Sequence, residues 1–207
     1  MNRRRYESPN RDAAAEETRR RIVTAAGELL AGPKGFAGMS LEAVAKAAGV
    51  SRLTIYNQFG TRRGLLEAVF DDRAERGGLF AIPQAMGALQ PRAAILRIVE
   101  IFCGFWASDP DGLSRVWAAG VGDPELAEGV RARSERRRVL FSTLVDRMAQ
   151  QGEVDAHAAA DLVDFLYALT SLPFFAEMST RGRPPGAVMA ILKQAAQDAL
   201  ERARPKA

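Results

Sequence analysis

Residues 40–66 read SLEAVAKAAGVSRLTIYNQFGTRRGLL, and the rest of the chain can be read outward from them. Ser40 and Ser51 each precede a short run with helical apolar spacing, and a serine hydroxyl accepts a hydrogen bond from a free N–H at a helix start. The spacing predicts one helix over Leu41–Ala48, with Leu41, Val44, Ala45 and Ala48 inward, and another over Arg52–Phe59. Gly49 lies between them, where the turn calls for a positive φ that glycine adopts cheaply. Val50, Ile55 and Phe59 are expected to pack inward, leaving Arg52, Thr54, Tyr56 and Gln58 outward or on the rim. Gly60 ends the second helix and Thr61 caps a further one to about Arg76, with Leu65, Leu66, Val69 and Phe70 on its apolar side. Capped helices around a tight turn form a helix-turn-helix, and an outward-facing second helix suits the major groove of duplex DNA.

Upstream, Ile22, Ala25, Ala26, Leu29 and Leu30 recur at three- and four-residue steps, predicting a helix over Asp12–Ala31 that ends at Gly32-Pro33. Phe36 and Met39 anchor the loop that follows. Residues 1–11, MNRRRYESPNR, lack apolar periodicity and are expected to form a flexible basic arm. Arg3, Arg4, Arg5 and Arg11 would then be free to follow the DNA backbone or enter a minor groove, as basic arms do. The charge distribution agrees. Residues 1–76 hold 14 Lys and Arg against 10 Asp and Glu, which accounts for the whole net charge of +4. A basic end on a neutral body suggests a polyanionic partner at that end.

Composition narrows the classes. The single cysteine, Cys103, excludes an intramolecular disulfide and multi-cysteine metal motifs, and suits a reducing compartment. The lone histidine, His157, reads as a surface residue with no second ligand for a metal. No apolar run approaches the roughly 18 residues of a membrane span, so a cytoplasmic protein without membrane contact is expected. No nucleophile–base pair, metal cluster or phosphate-binding glycine loop stands out. The expectation is therefore no enzyme, no catalytic residue, no cofactor and no metal.

Downstream, the apolar but proline-containing stretch 79–91 resists assignment. Residues 92–108 are apolar all round and predict a helix buried in a bundle. Asp109-Pro110-Asp111-Gly112 reads as a turn before a short helix, Leu113–Ala119. After Gly120-Val121-Gly122, Asp123-Pro124-Glu125 starts a long helix to about Gln151, in which RARSERRR (131–138) reads as a solvated face. Asp155 is expected to cap a helix to about Met178, kinked before Pro173, and Ala187–Ala203 forms the last. The fold class is all-α, with domains over 12–76 and 77–207 behind the arm.

The stretch GMSLEAVAKAAGVSRLTIYNQFGTRRGLLEAVF resembles the DNA-binding region of the tetracycline-repressor (TetR) family of bacterial regulators. The matching features are Gly35-Phe36, Ser40, Ala45, Gly49-Val50-Ser51, Ile55-Tyr56, Phe59, and Arg62 just before Leu65-Leu66. The resemblance covers about residues 15–70 and implies a three-helix DNA-binding domain followed by a helical bundle for ligand binding and dimerisation. It makes residues 52–58 the recognition helix, with Arg52 and Leu53 at the groove entry and Thr54 and Tyr56 against phosphates or base edges. Ser40, and Ser51 at its own helix start, would present N–H groups to phosphates. Arg62 would replace the family's usual lysine as a phosphate anchor. Asn57-Gln58 stand where members often carry aromatic residues or histidine. Gln58 can pair bidentately with adenine, or the two amides can simply solvate the helix end.

The same resemblance implies a pocket within the bundle. The aromatic candidates are Phe102, Phe105, Trp106, Trp117, Phe141, Phe165 and Tyr167, with Thr170 as a polar one; for each, plain core packing is the alternative. A small, mainly apolar effector would bind there. The alanine-rich last two helices would pair across a two-fold axis, matching a palindromic DNA operator. The function implied is a sequence-specific, ligand-released dimeric repressor. The alternative is a helical small-molecule-binding or interaction protein of the same fold that does not bind DNA.

Overall fold

The computed structural model describes residues 9–119 and 124–205, without the side chains of 9–11, 119 and 181. The expectations for Arg3, Arg4 and Arg5, for the Arg11 side chain and for the glycine-rich link at 120–123 fall outside what is described. All regular structure among the described residues is helical. The chain resolves into two compact units, the first ending at Asp72 and the second starting at Arg73.

The first unit contains α1 (Pro9–Ala31), the single turn α2 (Gly35–Gly38), α3 (Leu41–Ala48), α4 (Arg52–Phe59) and most of α5 (Arg62–Arg76). α1 starts three residues before the expected Asp12, because a proline in the first helical turn gives up an N–H that has no partner there anyway. Its apolar stripe packs on α3, and Ile22, Ala26, Leu30, Met39, Val44 and Leu65 are fully shielded from solvent. Burying a Leu or Ile side chain contributes roughly 1.5–3 kcal/mol, so this small core rests on few residues.

The second unit begins with the end of α5 and a 3₁₀ turn (Leu79–Ala81), which leads into α6 (Ile82–Ala88). The stretch that the sequence left unassigned is thus helical, with Ile82 and Ala85 as its buried face. Then come α7 (Pro91–Ser108), α8 (Pro110–Ala119), α9 (Pro124–Gln150), α10 (Ala159–Leu169), α11 (Leu172–Met178), a 3₁₀ turn (Thr180–Gly182) and α12 (Pro185–Arg202). α7 is the central element, packed against both α9 and α12, and it buries Ile95, Ile98, Val99, Phe102, Phe105 and Trp106. α10 packs on α9 and α12.

Three boundaries differ from the sequence reading. Asp109-Pro110-Asp111-Gly112 is the first turn of α8 rather than a free turn. The Asp109 carboxylate accepts from the Gly112 N–H at 3.0 Å, and its second oxygen takes Arg73 Nη1 at 2.6 Å. Asp155, by contrast, does not cap a helix. Its carboxylate takes the His157 N–H at 2.8 Å and its carbonyl the Ala158 N–H at 3.0 Å, closing a turn before α10 starts at Ala159. The single kinked helix expected to reach Met178 is two, bent by 61° at Thr170-Ser171. Ser171 caps α11 by accepting from the Phe174 N–H at 3.3 Å, which puts Pro173 in a first turn that needs no N–H from it. The break leaves the Thr170 carbonyl open to the Trp106 indole, which donates to it at 2.9 Å.

No single helix among the described residues is long and apolar enough to cross a membrane; α10 and α11 reach that composition only as a bent pair.

Candidate nucleic-acid interface

The geometry of the helix-turn-helix is set by local hydrogen bonds. Ser40 Oγ accepts from the Ala43 N–H at 3.1 Å, and Ser51 Oγ accepts from the Thr54 N–H at 3.0 Å. Each cap satisfies one orphan donor and leaves the earliest N–H groups of α3 and α4 to other acceptors. Thr54 Oγ1 lies 2.9 Å from Ser51 Oγ, so this side chain is drawn into the cap. Between the helices Gly49 sits at φ +65°, a left-handed conformation that costs other residues strain. Ser51→Ala is expected to cost about 1 kcal/mol of stability in the first unit and Ser40→Ala a similar amount, read by thermal unfolding.

Two arginines complete the frame. Arg19 of α1 lies over the Phe59 ring, its guanidinium carbon 4.6 Å from the centroid, and donates from Nη1 to the Gln58 carbonyl at 3.4 Å. It thus places a cation at the C-terminal end of α4, where the helix dipole favours one. Sequence reasoning missed Arg19, since nothing in its neighbourhood marks it. Gly64 was missed as well: a Cβ there would lie 2.2 Å from the Phe59 carbonyl oxygen, so only glycine lets α5 start this close behind α4.

With Ile55 buried to 1% exposure beneath it, α4 turns an almost wholly accessible face outward. Arg52, Leu53, Tyr56 and Asn57 are exposed, Leu53 at 66% and Tyr56 at 63%, while Thr54 and Gln58 are half-buried. Val50 and Phe59, expected inside, are also half-buried. A large apolar side chain and a tyrosine held in water on a polar helix have no packing explanation within this unit. They suit contact with an external surface.

Arg62, expected as a phosphate anchor, is engaged within the unit. Its guanidinium stacks on the Phe36 ring at 3.8 Å and donates from Nη2 to the Phe36 carbonyl at 3.2 Å, with Nε buried and lacking an acceptor. The longer, planar guanidinium reaches back to an aromatic face. There it pins α2 to the start of α5.

The pocket candidates in the second unit differ in burial and surroundings. Phe102, Phe105 and Trp106 form one aromatic group on α7, with centroid separations of 6.2 Å for Phe102–Trp106 and 4.5 Å for Phe105–Trp106. Phe141 is fully buried on α9. Tyr167 lies beneath the guanidinium groups of Arg137 and Arg138. Thr170 is buried with its hydroxyl donated to the Leu166 carbonyl at 2.8 Å, whereas Trp117 and Phe165 are exposed at 37% and 38%. Nor is RARSERRR wholly solvated: Ser134 and Arg137 are buried. Cys103 is buried too, and burial first, then the Glu100 charge, push its thiol up to about 11. His157 is exposed.

A capped helix pair around a left-handed glycine, with the second helix presented outward, defines a helix-turn-helix DNA-binding regulator. The comparisons with known proteins agree. Residues 22–69 match the family described as bacterial regulatory proteins, tetR family. The HTH-type transcriptional regulator EthR of Mycolicibacterium smegmatis is 28% identical over 158 residues, covering 75% of this chain and 70% of that protein. Among solved structures, a TetR-like transcriptional regulator from Rhodococcus sp. RHA1 superposes with a TM-score of 0.59 at 20% identity, over 89% of this chain and 96% of that one. A TetR transcription regulator from Haloarcula marismortui gives 0.62 at 16% identity, over 91% and 98%. These last two share the fold. Residues 22–69 thus carry the DNA-binding region of the tetR family of bacterial regulatory proteins, and the chain as a whole is similar to transcriptional regulators of that fold.

Proposed function

We propose that this regulator is a cytoplasmic dimeric repressor, released from a palindromic operator when a small, mainly apolar molecule enters the second unit. The observation that carries the DNA-reading part is the exposed face of α4, with Arg52, Leu53, Tyr56 and Asn57 accessible around a helix fixed by Ile55. The DNA-binding domain is taken as residues 12–76 with its basic arm at 1–11, and the effector and dimerisation domain as 77–207. Ser40, Ser51 and Thr54 orient the helix starts toward phosphates, and Gln58 lies at the rim of the reading face. Pairing of two chains through the last helices is supported by Phe165, Phe174 and Ile191, exposed at 38%, 40% and 42%. Large apolar groups left in water gain by being covered in an assembly. Release requires the effector to bind the two DNA-spacing states unequally, and the ratio of those affinities sets the size of the switch.

The test is a gel mobility shift on fragments flanking the protein's own gene, with scrambled duplex as competitor. Failure to prefer any fragment would sink the reading. Arg52→Ala is expected to weaken cognate binding by about 1–3 kcal/mol if the guanidinium reads a base. Equal losses on cognate and scrambled DNA would identify a phosphate contact instead.

A further inference from the structure

The core of the second unit contains a cation that packing does not require. Arg137, on α9, is 4% exposed. Its guanidinium carbon lies 4.7 Å from the Tyr167 ring centroid and 5.6 Å from that of Phe102, and Nε has no hydrogen-bond acceptor. The neighbouring carboxylates are held elsewhere. Asp164 pairs with Arg138, and Glu135 faces Arg138 at 3.7 Å. Among the described residues, no carboxylate forms an ion pair with Arg137.

Burying a charge without its counter-ion is costly, and an apolar side chain of similar volume would normally serve a core better. Burial lowers the Arg137 pKa to about 10, with Tyr167 and Glu135 opposing that shift and Arg138 adding to it. The group therefore stays cationic at neutral pH. Ser134, also buried, sits three residues earlier on the same helix face and adds a hydroxyl. The planar guanidinium fork matches a carboxylate in two parallel hydrogen bonds. The rings of Phe102 and Tyr167, with Trp106 stacked on Phe102, supply flat apolar walls beside it.

We infer that Arg137 anchors the carboxylate of an effector whose remainder is apolar, held among α7, α9 and α10. This rests on the effector reading proposed above. It sharpens that reading from an apolar molecule to an amphiphilic monocarboxylate.

The test uses the full chain and the variant Arg137→Met, which keeps the volume and removes the charge. Benzoate, phenylacetate, octanoate, decanoate and their primary amides are titrated by calorimetry. At least one carboxylate should bind wild type on the order of tenfold more tightly than its amide, and Arg137→Met should erase that preference without weakening the amide. Free of ligand, Arg137→Met should unfold about 2–4 °C higher than wild type, because a site kept for a ligand is costly when unfilled. No carboxylate preference in wild type, an unchanged preference in the variant, or a variant that unfolds lower would each overturn the inference. The regulatory reading fails separately: an acid that binds through Arg137 yet leaves the operator complex intact in the gel shift would retain the anchor and remove the release mechanism.

Discussion

Ile55→Ala is expected to abolish sequence-specific DNA binding while leaving the second unit folded. Ile55 is 1% exposed and is the only residue of α4 that is fully buried. Truncating a buried isoleucine to alanine costs about 2–5 kcal/mol, the lost transfer energy plus the cavity. An eight-residue helix has little intrinsic stability against that loss. The remaining ties, the Ser51 cap and the Arg19 contacts with half-buried Phe59, fix its ends but leave Ile55 as its one fully buried anchor. Circular dichroism during heating should show the first unit melting earlier, and the gel shift should lose its band. Tyr56→Ala is the contrast. With its side chain 63% exposed, it should leave the melting curve unchanged and weaken only the DNA complex. If Ile55→Ala bound the operator normally, α4 would be held by something other than this contact.

Trp106→Ala should be the most damaging single truncation in the second unit, at about 3–5 kcal/mol. The ring is buried against Phe102 and Phe105, and its N–H satisfies the carbonyl set free where α10 ends. Trp106→Phe separates the two contributions. It keeps an aromatic ring in place and orphans the Thr170 carbonyl, for which about 1–3 kcal/mol is expected. Chemical denaturation of the series gives both values. Equal losses for Ala and Phe would assign the whole effect to the hydrogen bond.

The parts of this protein that could be read in the sequence are those encoded within a few residues. The caps of Ser40 and Ser51, the positive φ of Gly49 and the inward Ile55 depend on neighbours three or four positions away, and the structure shows each of them. Asp109 and Asp155 show where that ends. Asp109 reads as part of a turn and Asp155 as a helix cap, yet it is the Asp109 carboxylate that meets an N–H three residues on, while that of Asp155 takes one two residues on. The contacts of Arg19 and Arg62 close loops of 39 and 26 residues, and a guanidinium on a ring carries no local signature. Within RARSERRR, identical residue types fall on opposite sides of α9. Arg136 is in water and Arg137 in the core, a distinction made by the bundle alone. Residue type alone does not separate the buried Phe141 from the exposed Phe165.

The Arg62–Phe36 stack bears on how this protein should respond to ionic strength. Each phosphate neutralised by a side chain releases condensed counterions and steepens the fall of log affinity with log salt by about 0.9. A guanidinium already engaged with a ring and a carbonyl releases none. Arg62→Gln should therefore leave that slope unaltered while loosening the fold. Formal charge in this domain overstates the charge that DNA meets, and the salt titration counts the difference.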